Sequence, residues 1–168
     1  LGNLICDILR TETDSEIALF NSGGIRSGIT KGHIQLRDIY RVLPFGNTVA
    51  TAKITGKQLK EALASGLKHK HLTGSLLQVS GLTYAFSGNQ LVDVRVGGRQ
   101  VSDERRYKLV TNNFILTGGD HFEVLKATTE QRDTGVPADR MVTDYVKKHR
   151  KLNPKKDGRI TSTPGTVD

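Results

Sequence analysis

The sequence predicts an α+β domain built on a mixed or largely antiparallel sheet. Three observations lead there. Apolar residues recur at helical spacing in four separate stretches, and strand-like alternation gathers in one run in the middle of the chain instead of alternating with helices. The length of 168 residues suits one domain, and a globule of that size buries roughly 70% of its extended-chain surface.

The first helix is predicted in NLICDIL, where Leu4, Ile5, Ile8 and Leu9 share a face and Asn3 is placed to cap it. EIALF is a short apolar run that stops at NSGG, the pattern of a buried strand entering a loop. In LRDIYRVLPFGN the apolar positions Leu36, Ile39, Tyr40 and Leu43 predict a helix ended by Pro44, which leaves Phe45 in a loop. ITGKQLKEALASGLKH carries the most complete helix signal. Thr55 and Gln58 form a capping box, Ile54 and Leu59 are spaced for a hydrophobic staple, and Leu59, Leu63 and Leu67 repeat on one face.

Strands are predicted in LTYAF, with Leu82, Tyr84 and Phe86 alternating, in LVDVRV, with Val92, Val94 and Val96 alternating, and in RYKLVT. Residues 87–90 and Gly97-Gly98 supply the turns. After Asp120 the pattern loosens until ADRMVTDYVKKH resumes helical spacing through Met141, Val142, Tyr145 and Val146, just after Pro137. Residues 161–168 are expected to form a flexible tail.

A net charge of +8 raises nucleic acid as a partner. Seven Lys and Arg against a single acid, Asp157, lie between Lys147 and Arg159, and no aromatic interleaves them. Single-strand binders mix aromatics with their basic groups, so this run is expected to be a solvated end and no nucleic-acid partner is assigned. No apolar stretch approaches the roughly 20 residues that span a bilayer. Cys6 is the sole cysteine and sits among Leu4, Ile5 and Ile8, where a small buried thiol is expected. The N-terminus has no initiator Met and no signal-type block, so the chain is expected to be cut from something longer.

Three stretches have the composition of a binding site. In NSGGIR, Gly23 and Gly24 let backbone N–H groups approach a ligand and Arg26 offers a planar fork of donors, although a Gly-rich turn with a paired Arg has the same composition. LPFGN sets Phe45 between Pro44 and Gly46, as one wall of a slot or as a cap on the core. TNNFILTGGDHF places Phe114 at a strand end, then turns at Gly118-Gly119 so that Asp120 can accept hydrogen bonds from hydroxyls. Two rings with one contact distance of about 3.5 Å on each side would enclose a planar heterocycle. The histidines are scattered: His69 and His71 read as part of a solvated basic loop, with no acid or cysteine nearby to complete a metal site. No nucleophile elbow or Ser/His/Asp arrangement is present.

In order, LGNLICD, NSGGIR, LPFGN, ITGKQLKEAL, LLQVSGLTY and TNNFILTGGDHF closely resemble the C-terminal domain of the 5'-nucleotidase family, which includes UDP-sugar hydrolases and related phosphoesterases. The resemblance covers residues 1–160 and implies a layered domain of mixed sheets flanked by helices. It also implies a division of labour. An N-terminal metallophosphatase domain of the same polypeptide would hold two divalent metal ions and hydrolyse a nucleoside monophosphate or related nucleotide; this chain, with no cofactor of its own, would bind the nucleoside part and would be inactive alone. A periplasmic, cell-surface or secreted location is implied with it, and the alternative is a stand-alone nucleotide-binding or interaction module.

Carried over position by position, the resemblance makes Phe45 and Phe114 the two aromatics that clamp the base and Asp120 the acid that holds ribose hydroxyls. It places Arg26 on the ribose side, Asn21 near the base and Asn47 in the same pocket, with Gly24, Gly46 and Gly119 as the backbone around them. The family usually has a glycine where this chain has His121, which is expected to narrow the pocket or to add a hydrogen bond.

Overall fold

Two sheets organise the chain, and the computed structural model describes residues 1–72 and 74–163 of it. In order the elements are α1 (Gly2–Glu12), β1 (Ile17–Asn21), α2 (Leu36–Val42), β2 (Thr48–Thr55), α3 (Gly56–Lys68), β3 (Leu77–Ser80), β4 (Leu82–Ser87), β5 (Gln90–Val96), β6 (Arg99–Gln100), β7 (Arg106–Asn112), α4 (Asn113–Leu116), β8 (Thr129–Pro137), α5 (Ala138–His149) and β9 (Ile160–Thr163). The larger sheet runs β3-β1-β7-β2-β8 and the smaller β6-β5-β4-β9. Both are mixed: β1 and β7 are parallel within the first, β4 and β9 within the second, and the other pairings are antiparallel.

β1 is buried along its whole length because both faces of the five-stranded sheet are covered. Side chains alternate across a strand, so Ala18 and Phe20 pack with Ile5, Ile8 and Leu9 of α1, Ile39 of α2 and Val142 of α5. Ile17 and Leu19 point the other way, into a core with Leu59, Leu63 and Leu67 of α3 and with Tyr84 and Val94 of the smaller sheet. The layers are therefore helices, the five-stranded sheet, and then α3 with the second sheet.

The predicted capping box at α3 is formed: the Gln58 backbone N–H donates to Thr55 Oγ1 at 3.2 Å and the Thr55 N–H to Gln58 Oε1 at 2.9 Å. Ile54 and Leu59 are both fully buried beside it. α1, by contrast, begins at Gly2, and the Asn3 amide reaches across to Asp157 at 3.3 Å instead of capping the helix. On α2 only Ile39 of the predicted apolar face and the following Leu43 are buried; Leu36 and Tyr40 are exposed. Val92 also departs from the expected alternation. Ala85 pairs with Asp93 and Phe86 with Leu91, so Val92 is the extra residue of a bulge and faces solvent while Val94 is buried.

The C-terminal segment corrects two expectations. Residues 161–163, expected in the tail, belong to β9, which runs parallel to β4, and residues 164–168 lie outside the described residues. Arg159 is not part of a solvated run. Its guanidinium donates to Asp7 at 2.7 and 3.2 Å, to the Val79 carbonyl at 3.0 Å and to Asp157 at 2.9 Å, which ties the last strand to α1 and β3. Those hydrogen bonds hold the Asp157 carboxyl below its ordinary pKa and raise that of Arg159. Cys6 is fully buried, and burial, followed by the nearby Asp7 charge, pushes its thiol pKa far up, as suits a packing residue. Among the described residues no helix is long and apolar enough to cross a membrane.

Candidate functional site

The parallel strands β1 and β7 end side by side, and their carboxyl ends carry Asn21 and Asn112. In open sheets with parallel strands this is the edge outside which ligands bind. Here the two asparagines join a hydrogen-bonded relay. Asn112 Nδ2 donates to Asn21 Oδ1 at 2.9 Å, and Asn21 Nδ2 donates to Asp120 Oδ2 at 2.7 Å. Both amides are buried, and each is satisfied by the other and by its next neighbour.

Asn112 also accepts, through Oδ1, from the Ile115 N–H at 3.0 Å and so caps α4. Phe114 therefore sits in the first turn of a short helix, not on the strand end that the sequence suggested, because the cap converts strand to helix at once. Beyond α4 the chain reverses through left-handed conformations at Gly118 (φ 92°), Asp120 (φ 52°) and His121 (φ 68°). The last two are not glycines, and such backbone persists only where the surroundings enforce it. The reversal lays Gly119 against the Phe114 ring so closely that a Cβ there would stand 2.5 Å from the ring.

The opposite wall comes from the segment between α2 and β2. Pro44 follows the end of α2, and Phe45 is 58% exposed, which excludes a core cap. Phe114 is 41% exposed and likewise no core residue. The Asn47 carbonyl accepts from the Ala138 N–H at 2.9 Å, anchoring this wall to α5. Arg26 is held by its backbone N–H to the Val42 carbonyl at 2.9 Å, and its guanidinium lies 5.9 Å from the centre of the Phe45 ring.

Asn21, Gly23, Arg26, Phe45, Asn47, Phe114 and Asp120 together line one cleft of about 390 Å3. Three stretches remote in sequence are thus brought together. Gly24 and Gly46 lie in an adjoining crevice beside Phe20 and Leu43, and Gly119 lies beneath Phe114. Asn21 has its amide committed to Asn112 and Asp120. His121 is not among the cleft's lining: its ring stacks on His69 with centroids 4.4 Å apart, which takes His69 out of the solvated loop expected for it. Asn112 had no role assigned from sequence; a polar residue ending a β-branched run was the available signal.

The cleft offers two exposed aromatic faces, a carboxylate fixed by a donated hydrogen bond, and a guanidinium. A flat apolar group with hydroxyls attached matches that set. Among the described residues no three His, Cys, Asp or Glu side chains gather so as to hold a metal ion.

Fold and cleft define a layered α+β domain with a cleft of small-molecule size at one sheet edge. The family described as "5'-nucleotidase, C-terminal domain" matches residues 1–127, and the chain belongs to it. It is 36% identical, over 95% of its length, to the trifunctional nucleotide phosphoesterase protein YfkN of Bacillus subtilis, of which it spans 12%. It is 34% identical, over 99% of its length, to a snake venom 5'-nucleotidase of Macrovipera lebetinus, of which it spans 48%. The structure of a 5'-nucleotidase precursor from Thermus thermophilus superposes with a TM-score of 0.90 at 39% identity, over 96% of this chain and 34% of that one. In each case the chain corresponds to less than half of a larger protein.

Proposed function

We propose that this domain binds the nucleoside part of a nucleotide for a 5'-nucleotidase-type phosphohydrolase. The base lies between Phe45 and Phe114, the ribose hydroxyls donate to Asp120, and Arg26 and Asn47 flank the sugar. Hydrolysis takes place on a metallophosphatase domain of the same polypeptide, where two divalent ions reside. The residues of this chain bind and orient. The relatives include a snake venom 5'-nucleotidase, which supports an extracytoplasmic setting: periplasmic, cell-surface or secreted.

The observation that carries this reading is the convergence of two exposed aromatics and a hydrogen-bonded carboxylate on one cleft. Stacking contributes about 1–3 kcal/mol per ring. Added to one or two charge-assisted hydrogen bonds and set against the cost of association, this gives a net affinity on the order of −4 to −6 kcal/mol, or millimolar to tens of micromolar. Calorimetry with adenosine and with ribose 5-phosphate tests it. Adenosine is expected to bind in that range and ribose 5-phosphate more weakly; equal binding would show that no base is clamped.

A further inference from the structure

The relay behind the cleft has a direction, and its two ends set it. The Ile115 backbone N–H only donates, so Asn112 must present Oδ1 to it and Nδ2 to Asn21. At the other end the Asp120 carboxylate oxygen accepts, so Asn21 presents Nδ2 to it and Oδ1 to Asn112. The two ends agree, and each fixes the amide orientation of the residue between. Without the Asn112 donor, Asn21 Oδ1 loses its buried partner, and the Asn21 amide is held from the Asp120 end alone.

We propose that Asn112, fully buried and absent from the cleft lining, is a positioning residue that sets both the ring and the acid of the site. Its Oδ1 caps the helix that carries Phe114, and its Nδ2 polarises the Asn21 amide that holds Asp120. Base and sugar recognition are thereby coupled through one buried amide. The strained left-handed backbone at Asp120 and His121 gives the coupling its purpose: a carboxylate on such a turn needs a fixed donor to stay aimed into the cleft. The consequence for nucleosides rests on the function proposed above, whereas the consequence for the Asn21 amide does not.

The substitution Asn112→Ser separates the two roles, because a serine hydroxyl still caps a helix but is too short to reach Asn21. In the unaltered chain, the Asn21 side-chain amide protons are expected to exchange slowly with solvent by NMR, and in Asn112→Ser rapidly. Adenosine affinity is expected to fall about tenfold, the loss of one charge-assisted hydrogen bond, while 2',3'-dideoxyadenosine binding changes less than twofold. Asn112→Ala removes the cap as well and is expected to weaken both ligands.

Rapid Asn21 exchange in the unaltered chain would overturn the proposal without any variant, as would slow exchange retained in Asn112→Ser. Equal losses for adenosine and its dideoxy analogue in Asn112→Ser would reduce Asn112 to a helix cap and overturn it too. If the unaltered chain binds neither nucleoside, the proposed function fails by itself, and the exchange result still decides whether Asn112 sets the relay.

Discussion

The two walls of the cleft are built differently. Phe114 stands on a capped helix and lies on Gly119 with no space for a Cβ between them, and the buried relay through Asn112 and Asn21 ties its helix to Asp120. Phe45 stands in a loop next to Gly46, where a Cβ would meet nothing within 4 Å, and its neighbour is the exposed guanidinium of Arg26. One wall is a fixed platform and the other has room to move. Under the function proposed above, the fixed wall would hold the sugar and one face of the base, and the Phe45 wall would adapt to the other face.

The comparison breaks most visibly at its glycines. Gly119→Ala forces the Phe114 ring aside and is expected to cost about 1–3 kcal/mol of stability and at least tenfold in adenosine affinity, read by thermal denaturation and calorimetry. Gly46→Ala meets no atom but keeps a left-handed φ of 65°, so it is expected to cost about 1 kcal/mol with binding little changed. A larger binding loss at Gly46 than at Gly119 would invert the assignment of fixed and adaptable walls.

Next come the rings. Phe114→Ala and Phe45→Ala are each expected to weaken adenosine by about 1–3 kcal/mol. Only Phe114→Ala should lower the thermal midpoint, because only that ring packs against Gly119. A collapse of stability in Phe45→Ala would return that residue to the core. Asp120→Asn is expected to weaken adenosine about tenfold, as loss of a charged acceptor does, with 2',3'-dideoxyadenosine little affected; equal losses would remove the hydroxyl-holding role.

The smallest effect lies away from both walls. Arg159 holds the Asp157 carboxyl below its ordinary pKa, so that contribution to stability is present above the ordinary carboxylate range and is lost as pH falls through the folded value. Asp157→Asn should therefore lower the thermal midpoint at pH 7, only slightly because the carboxylate is about half exposed, and by progressively less as pH falls below the ordinary carboxylate range. Nucleoside binding should not change in that variant.

The legible parts of the fold were those with apolar periodicity, such as α3 with its leucine face and β1 with its unbroken apolar run. β8 was not legible, because Thr129–Pro137 pairs only with β2 at a sheet edge and is exposed almost throughout, so its residues carry no alternation. β2 was missed for another reason: alanines and threonines replace large side chains between β7 and β8. The candidate cleft residues were named from short motifs, but their meeting was invisible to spacing, since it depends on β1 and β7 being parallel neighbours. Asn112 shows the same limit. Its role is defined by Asn21, 91 residues away in sequence.

The most direct test of nucleoside binding at this cleft is a chemical-shift titration of the chain with adenosine, uridine and inorganic phosphate. Shifts concentrated at Phe45, Phe114 and Asp120 with either nucleoside, and absent with phosphate, are the predicted result. No shift with a nucleoside up to several millimolar, or the same shifts with phosphate alone, would contradict it.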